Sequence, residues 1–153
     1  MFAVAPRRGE ALRQRSQRAL PTPLPECGRT LFTDGLRTVC VRPDQWLVLG
    51  EGTAEWLGAL LAEAFGDAAN MVDVSGAYVG MRVRGAGSRA ALGKFLPLDL
   101  HPRAMQAGHA AATLAAHLPV LLWQADDMPT YELLCTRSYA ASFRRTMELI
   151  GVF

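Results

Sequence analysis

The chain has 153 residues, of which half are apolar and a fifth are charged, and its formal net charge is +2. This charge, with a pI of about 8.6, is far from the clustered basic surface typical of nucleic-acid-binding proteins. The three cysteines Cys27, Cys40 and Cys135 predict neither a disulfide framework nor a C-x-x-C metal site. No apolar run approaches the ~20 residues of a membrane-spanning helix. We therefore expect a cytoplasmic protein that contacts neither nucleic acid nor membrane.

The N-terminal region is rich in arginine and proline and has no sustained apolar periodicity. We predict a flexible arm over 1–35, followed by a single α+β domain over 36–153. An arginine bias with few acidic residues is also typical of a transit peptide, although a solvated or partner-docking tail is the simpler interpretation. The start, MFAVAPRRGE, places arginines after a very short apolar segment and does not fit a secretory signal peptide.

A hairpin and a helix are the first elements that we predict in the domain. Branched and aromatic residues predict strands over 38–41 and 46–49, joined by a type I turn that contains Pro43 and Asp44. Thr53 is expected to cap a helix that Gly66 ends. The apolar residues of this helix follow the spacing of one buried stripe: Leu57, Leu60, Leu61, Ala64 and Phe65.

The segment MVDVSGAYVGMRVRG, residues 71–85, predicts two strands with a break at Ser75 and Gly76. In the second strand, alternation predicts one buried face, formed by Val79, Met81 and Val83. Ser88 is then expected to cap a short helix that Pro97 ends. This helix should bury Ala91, Leu92, Phe95 and Leu96. Residues 97–108, PLDLHPRAMQAG, follow as an ordered connector.

Local signals conflict between residues 109 and 124, where alanines favour a helix and LPVLLWQ, with Pro119 inside it, favours a strand at an edge or bulge. A clearer strand covers 130–135, with Tyr131, Leu133 and Cys135 on one face. A last helix should begin at a Ser138 cap, with the apolar stripe Ala140, Phe143, Met147 and Ile150. The mixed order of elements predicts an α+β fold with about three helices on a mixed, largely antiparallel sheet.

One motif in the chain is similar to a dinucleotide fingerprint. Gly85, Gly87 and Ala90 match G-x-G-x-x-[GA] between a predicted strand and a predicted helix. The acidic residue expected about 20 positions later is absent, because Met105 and Gln106 stand there. Pro97 also ends the helix before a full crossover can form. We therefore favour a tight turn and a helix start over a site for NAD.

Metal and nucleophilic sites are also disfavoured by the pattern. His101, His109 and His117 recur every eight residues, which is too far apart along a strand for shared metal ligation. Cys40 and Cys135 fall in predicted strands, where a buried and inert thiol is the usual state. We expect no catalytic, metal-binding or cofactor-binding residue in this chain.

Five residues are candidates for structural or subunit contacts. Lys94 lies opposite the apolar side of its helix, where it is either solvated or in contact with an acidic partner or ligand. Asp99 and His101 should shape the connector, because a short Asp side chain accepts hydrogen bonds from turn N–H groups. Arg103 follows them. Trp123 is expected to be a core or interface anchor.

Over 72–102 and 118–143 the sequence resembles the gamma subunit of heterotetrameric bacterial sarcosine oxidase. The matching residues include Asp73, Ser75, Gly85, Leu92, Lys94, the PLDLHP run at 97–102, Gly108, Thr113 and RSYA at 137–140. The resemblance implies a fold similar to part of the folate-binding aminomethyltransferase domains, as in the glycine cleavage T protein. It also implies a strand where alanines favour a helix, since pairing can override local propensity.

The resemblance further implies a complex that oxidatively demethylates sarcosine with oxygen to glycine, hydrogen peroxide and a one-carbon product. It assigns FAD, FMN, NAD and tetrahydrofolate to the alpha and beta subunits, and zinc to the delta subunit. This chain would be the structural gamma subunit, without a cofactor, and its partners would be alpha, beta and delta. The alternative is a free-standing folate or one-carbon binding module related to the aminomethyltransferases.

Overall fold

The computed structural model describes residues 1–149. This part of the chain forms nine strands and four α-helices, which confirms the predicted α+β class. The chain divides into two compact units, Met1–Gly76 and Ala77–Phe153, where we expected one domain. Each unit has its own antiparallel sheet and two α-helices. Among the helices of residues 1–149, none combines the length and the hydrophobicity needed to cross a bilayer.

The first unit has a five-stranded sheet in the order β2-β3-β4-β1-β5. Its elements are β1 (Phe2–Pro6), α1 (Gly9–Ala19), β2 (Thr30–Thr33), β3 (Leu36–Arg42), β4 (Gln45–Gly50), α2 (Ala54–Phe65) and β5 (Ala69–Asp73). The core of this unit joins Trp46 and Val48 of β4 to Leu57, Leu61 and Phe65 of α2. The stripe predicted for α2 is therefore the face that the helix buries.

Local chemistry accounts for the ends of α2 as predicted. The backbone N–H of Trp56 donates to Thr53 Oγ1 at 3.2 Å, so Thr53 is the N-cap. Gly66 follows the helix with a φ of 52°, in the left-handed region that glycine adopts easily. The hairpin β3–β4 is also confirmed. Its turn is not type I, because Asp44 has a φ of 57° where type I requires a negative value.

The structure differs from the flexible arm that we expected over residues 1–35. These residues contain β1, α1 and β2, and β1 is an inner strand that pairs with both β4 and β5. Helix α1 buries only Leu12 and Ser16, so it has too few buried positions to show a clear periodicity. The proline segment is held by long-range hydrogen bonds, such as Thr38 Oγ1 to the Pro23 carbonyl at 2.9 Å.

The second unit has a four-stranded sheet in the order β6-β9-β8-β7. Its elements are β6 (Tyr78–Arg84), α3 (Ser88–Leu92), β7 (Ala110–Ala115), β8 (Leu118–Asp126), β9 (Thr130–Thr136) and α4 (Ala140–Leu149). The alanine-rich segment is strand β7, as the resemblance implied. Tyr131, Leu133 and Cys135 of β9 are buried on one face, as alternation predicted.

The two helices of this unit differ from their predictions in detail. Ser88 does not cap α3, because it is the first helical residue and its hydroxyl donates to the Pro129 carbonyl at 3.1 Å. The helix ends at Leu92 rather than at Pro97, and Gly93 follows it. Ser138 lies in the 3₁₀ turn Arg137–Tyr139 that precedes α4. Helix α4 buries Phe143 and Met147; Ile150 lies outside the described residues.

Candidate subunit-contact site

The connector, residues 97–108, is held by hydrogen bonds between its own neighbouring residues. Asp99 Oδ1 accepts from the backbone N–H of His101 at 2.8 Å. The ring nitrogen Nδ1 of His101 accepts from the backbone N–H of Arg103 at 3.2 Å. The His101 carbonyl accepts from the N–H groups of Ala104 and Met105 at 2.8 and 2.9 Å. The side chains of Asp99 and His101 therefore accept hydrogen bonds from the backbone of the connector itself.

The leucines of the connector attach it to the second unit. Leu100 is buried and belongs to the core of that unit, and Leu98 packs against the same core while partly exposed. The Leu100 carbonyl also accepts from Arg89 Nε of α3 at 3.0 Å. This arrangement fits the shaping role expected for Asp99 and His101, because their turns direct the leucines inward.

Lys94 lies beside an apolar pocket of about 490 Å³. We call it the Lys94 pocket, and its lining residues are Lys94, Phe95, Leu96, Pro97, Leu114, Ala116 and His117. Lys94 and His117 are both exposed. Among residues 1–149, neither side chain has a hydrogen-bond or ion-pair partner. Two free basic groups therefore border an apolar surface.

The other two candidates lie in different surroundings. Arg103 is exposed at the connector. Trp123 is buried, with an exposed fraction of 2%, and its Nε1 donates to Glu132 Oε2 at 2.8 Å. Glu132 also binds Arg82 through Oε1, with Arg82 Nε at 2.8 Å. Because Glu132 lies opposite both residues in the sheet, Trp123 is part of a cross-strand cluster of β6, β9 and β8.

The glycine motif forms a tight turn. Gly85 has a φ of 107°, and its N–H donates to the Pro129 carbonyl at 3.3 Å. The Gly85 carbonyl accepts from the Ser88 N–H at 3.0 Å, which closes the turn into α3. A Cβ atom on Gly85 or Gly87 would meet open space, so neither glycine is required by a close backbone approach.

Metal ligands and reactive thiols are also not assembled in the described part of the chain. Residues 1–149 contain no group of three or more His, Cys, Asp or Glu side chains placed to hold a metal ion. Burial raises the pKa of the Cys40 thiol to about 12, and the neighbouring Cys27 thiol adds to this shift. Burial also raises the pKa of Cys135. Since the thiolate is the nucleophile, these buried thiols are poorly suited to catalysis.

Comparison with known proteins establishes the family. The model of the sarcosine oxidase, gamma subunit family matches residues 9–148. The chain belongs to the sarcosine oxidase gamma subunit family. A relative from Arthrobacter sp, named sarcosine oxidase subunit gamma, is 31% identical over 100 residues, which cover 65% of this chain and 49% of the relative. A protein of the same name from Corynebacterium sp. (strain P-1) is 35% identical over 101 residues, with the same coverage.

The chain thus spans about half the length of these curated family members. Its fold is also similar to a chain in a solved structure described as heterotetrameric sarcosine oxidase from Corynebacterium sp. U-96 in complex with pyrrole 2-carboxylate. The TM-score is 0.83 at 21% sequence identity, and the match covers 98% of this chain and 78% of the other. At this identity the likeness shows a shared fold.

The sequence did not reveal two features of the surface of this family member. The spacing of His117 suggests only a test for metal ligation, whereas this residue lies at the tip of the β7–β8 hairpin and borders the Lys94 pocket. A second groove, of about 650 Å³, lies between β6 and α4. Its charged residues Arg144 and Glu148 form an ion pair with each other at 2.9 Å. The Lys94 pocket differs because the ammonium group of Lys94 has no ion-pair partner among residues 1–149.

Proposed function

We propose that this chain is the structural gamma subunit of a heterotetrameric sarcosine oxidase in the cytoplasm. The match of the family model over residues 9–148 carries the proposal. The partners are the alpha, beta and delta subunits, and the alpha and beta subunits hold FAD, FMN, NAD and tetrahydrofolate. The complex oxidises sarcosine with oxygen to glycine, hydrogen peroxide and a one-carbon product, and this chain stabilises the assembly.

The geometry of the candidate residues supports a role in contact rather than in chemistry. Asp99 and His101 hydrogen-bond to the connector backbone. Cys40 and Cys135 have raised pKa values because of burial. Subunits that act by contact combine apolar surface with charged groups at its rim, and the Lys94 pocket has this composition.

Co-expression tests the proposal directly. A tagged version of this chain is co-expressed with the alpha, beta and delta chains of its own source, and the purified material is weighed by native mass spectrometry. We expect a complex of all four chains that absorbs as a flavoprotein and releases peroxide when sarcosine is added. The isolated chain should be colourless and inactive. A chain that stays monomeric beside these partners, or that binds tetrahydrofolate or turns over sarcosine alone, would contradict the proposal.

The same complex tests the role of the connector. The double variant Asp99→Ala with His101→Ala should keep its turnover number once assembled, because neither side chain would take part in the reaction. It should lose about 1 kcal/mol of unfolding free energy for each backbone hydrogen bond removed. Arg103→Ala, which leaves these bonds in place, is the matched control. A correctly assembled double variant without turnover would refute a purely structural role.

A further inference from the structure

Strand β7 presents an edge without the usual protection against pairing. It lies at the end of the sheet of the second unit and pairs with β8 there. Its sequence, AAATLA, contains no charge and no proline, and its pairing with β8 contains no register shift. Exposed edges normally carry such features to prevent association. The opposite edge of the same sheet, β6, carries Arg82 and Arg84.

Alternation along β7 identifies the backbone groups that face outward. The Gln124 N–H donates to the His109 carbonyl, so position 109 bonds toward β8. In an antiparallel pair such positions alternate, so Ala111 and Thr113 also bond toward β8. The N–H and C=O groups of Ala110, Ala112 and Leu114 therefore point away from β8. Small alanine side chains let another strand approach, and Leu114 is 46% exposed.

The outward edge of β7 leads into the Lys94 pocket. Leu114 ends the exposed edge and lines the pocket, and the hairpin residues Ala116 and His117 form its other wall. The Ala116 N–H donates to the Phe95 carbonyl at 3.1 Å, which joins this hairpin to the segment that carries Lys94. The pocket thus combines an apolar lining with an unpaired ammonium group. A carboxylate beside an apolar side chain is complementary to it.

We propose that β7 and the Lys94 pocket together bind an extended acidic segment of a partner subunit. The segment adds a strand to the β7 edge through main-chain hydrogen bonds, in the manner of β-augmentation. A carboxylate of the segment pairs with Lys94, and a neighbouring apolar side chain packs on Phe95 and Leu114. This inference rests on the proposed function, because the occupant is a subunit of the proposed complex.

Lys94 can be followed individually because it is the single lysine of the chain. Acetylation with an amine-specific reagent, followed by peptide mass analysis, compares Lys94 in the isolated chain with Lys94 in the assembled complex. We expect acetylation at least about tenfold slower in the complex, since a tenfold change corresponds to about 1.4 kcal/mol of interaction. Equal rates in a fully assembled complex would overturn the inference.

Variants separate the two parts of the site. Lys94→Glu should weaken binding of this chain to its partners by about tenfold or more, while Arg145→Glu, the same charge change on an exposed residue of α4, should not. Ala112→Pro removes one outward N–H and should also weaken assembly, whereas Ala112→Ser keeps that N–H and should assemble normally. Circular dichroism of each variant establishes that the chain has folded.

The results of these experiments distinguish a failure of the docking inference from a failure of the proposed subunit function. If the wild-type chain assembles and neither Lys94→Glu nor Ala112→Pro weakens the complex beyond its control, the docking inference is wrong and the subunit function stands. If the wild-type chain does not assemble at all, both are wrong. If a small dicarboxylate such as glutarate protects Lys94 of the isolated chain from acetylation, the site takes a small anion and the inference is also wrong.

Discussion

Two buried polar side chains lie on the neighbouring strands β8 and β9. Among the described residues, Gln124 Oε1 and the Tyr131 hydroxyl are buried without a hydrogen-bond partner. The two residues are paired in the sheet register, and both side chains have an exposed fraction of 0%. An unsatisfied buried polar group costs about 1–3 kcal/mol. The Arg89 guanidinium lies 6.0 Å from the centroid of the Tyr131 ring and lowers the pKa of the hydroxyl, but burial outweighs this effect and raises that pKa. Both buried atoms therefore reduce the stability of the second unit.

We predict that Tyr131→Phe leaves the free energy of unfolding unchanged or raises it by about 1 kcal/mol. The substitution removes an unpaired hydroxyl and keeps the ring that packs in the core. Urea unfolding followed by fluorescence measures the difference, and Tyr131→Leu, which also removes the ring, should be destabilised. A clear loss of stability in Tyr131→Phe would mean that the hydroxyl is hydrogen-bonded in solution, and the prediction would fail.

The Cys40 thiol makes stability depend on pH in the alkaline range. Its pKa is about 12 in the folded chain, against 9.0 for an ordinary thiol. Above pH 9 the unfolded chain loses this proton while the folded chain keeps it, so unfolding becomes easier as pH rises. The contribution is complete below pH 9 and falls by about 1.4 kcal/mol per pH unit until the folded thiol also ionises.

This dependence is measured by urea unfolding at a series of pH values from 8 upward. Burial also raises the pKa of Cys135 and Tyr131, so their contributions fall in the same direction. Cys40→Ala removes the contribution of this one thiol. The unfolding free energy of the variant should therefore decline less steeply with rising pH than that of the wild-type chain. If the unfolding free energies of the two proteins fell equally steeply with pH, Cys40 would not cause the pH dependence.

Features of the candidate site that depend on residues close together in the sequence could be predicted. Features that depend on residues far apart in the sequence could not. The turn at Asp99 was predictable, because its donor, His101, lies two residues away and Asp commonly accepts such a bond. The Lys94 pocket was not, because Leu114 and His117 reach it from the hairpin about twenty residues later. The hydrogen bond from the Ala116 N–H to the Phe95 carbonyl joins this hairpin to the segment that carries Lys94.

At the scale of elements, the same difference in sequence distance explains why the ends of α2 were predicted correctly and the cap of α3 was not. Helix α2 was predicted with its cap and its end, because both signals lie within the helix or next to it. Ser88 of α3 offered the same local signal, but its hydroxyl binds the Pro129 carbonyl, 41 residues away. Strand β7 has alanines that favour a helix, and its pairing with β8 overrides them.

The β7–β8 hairpin turns through two residues in unfavourable conformations. Ala116 and His117 have φ values of 45° and 69°, the left-handed values of a type I′ turn. Asn-Gly is the preferred sequence for this turn, whereas other residues pay about 1 kcal/mol or more at each such position. The turn is therefore strained by its own sequence.

Replacing the turn by Asn-Gly should stabilise the chain. We predict that Ala116→Asn with His117→Gly raises the free energy of unfolding by about 1–2 kcal/mol, because the new residues adopt positive φ more easily. Thermal and urea unfolding measure the gain. Ala116→Val serves as the opposite control, since a β-branched residue should lower stability there. A double variant no more stable than the wild-type chain would argue against this turn geometry.

At the scale of the whole molecule, the main difference from prediction is the extent of folded structure. Residues 1–35 have little periodicity of their own, yet they supply an inner strand and a helix to the first unit. Their order depends on partners elsewhere in the chain, such as the Phe65 carbonyl that accepts from Arg15 at 2.6 Å. Each of the two units has its own core cluster, which composition could not reveal.

The strand order of the second unit predicts the order in which its strands pair during folding. Strands β7, β8 and β9 follow one another through short turns, whereas Arg82 of β6 pairs with Glu132 of β9 across 50 residues. Closing that long loop costs more entropy than forming the hairpins, so β6 should join the sheet last. Pulse-labelled hydrogen exchange during refolding should protect amides of β8 before those of β6.

During translation β6 waits longer to pair, because it emerges from the ribosome well before β9 has been synthesised. Its apolar residues Val79, Met81 and Val83 then remain uncovered while the intervening residues are translated. A nascent strand of this kind is a substrate for chaperones that bind short apolar segments. The yield of folded chain in a cell should therefore depend on translation speed between β6 and β9.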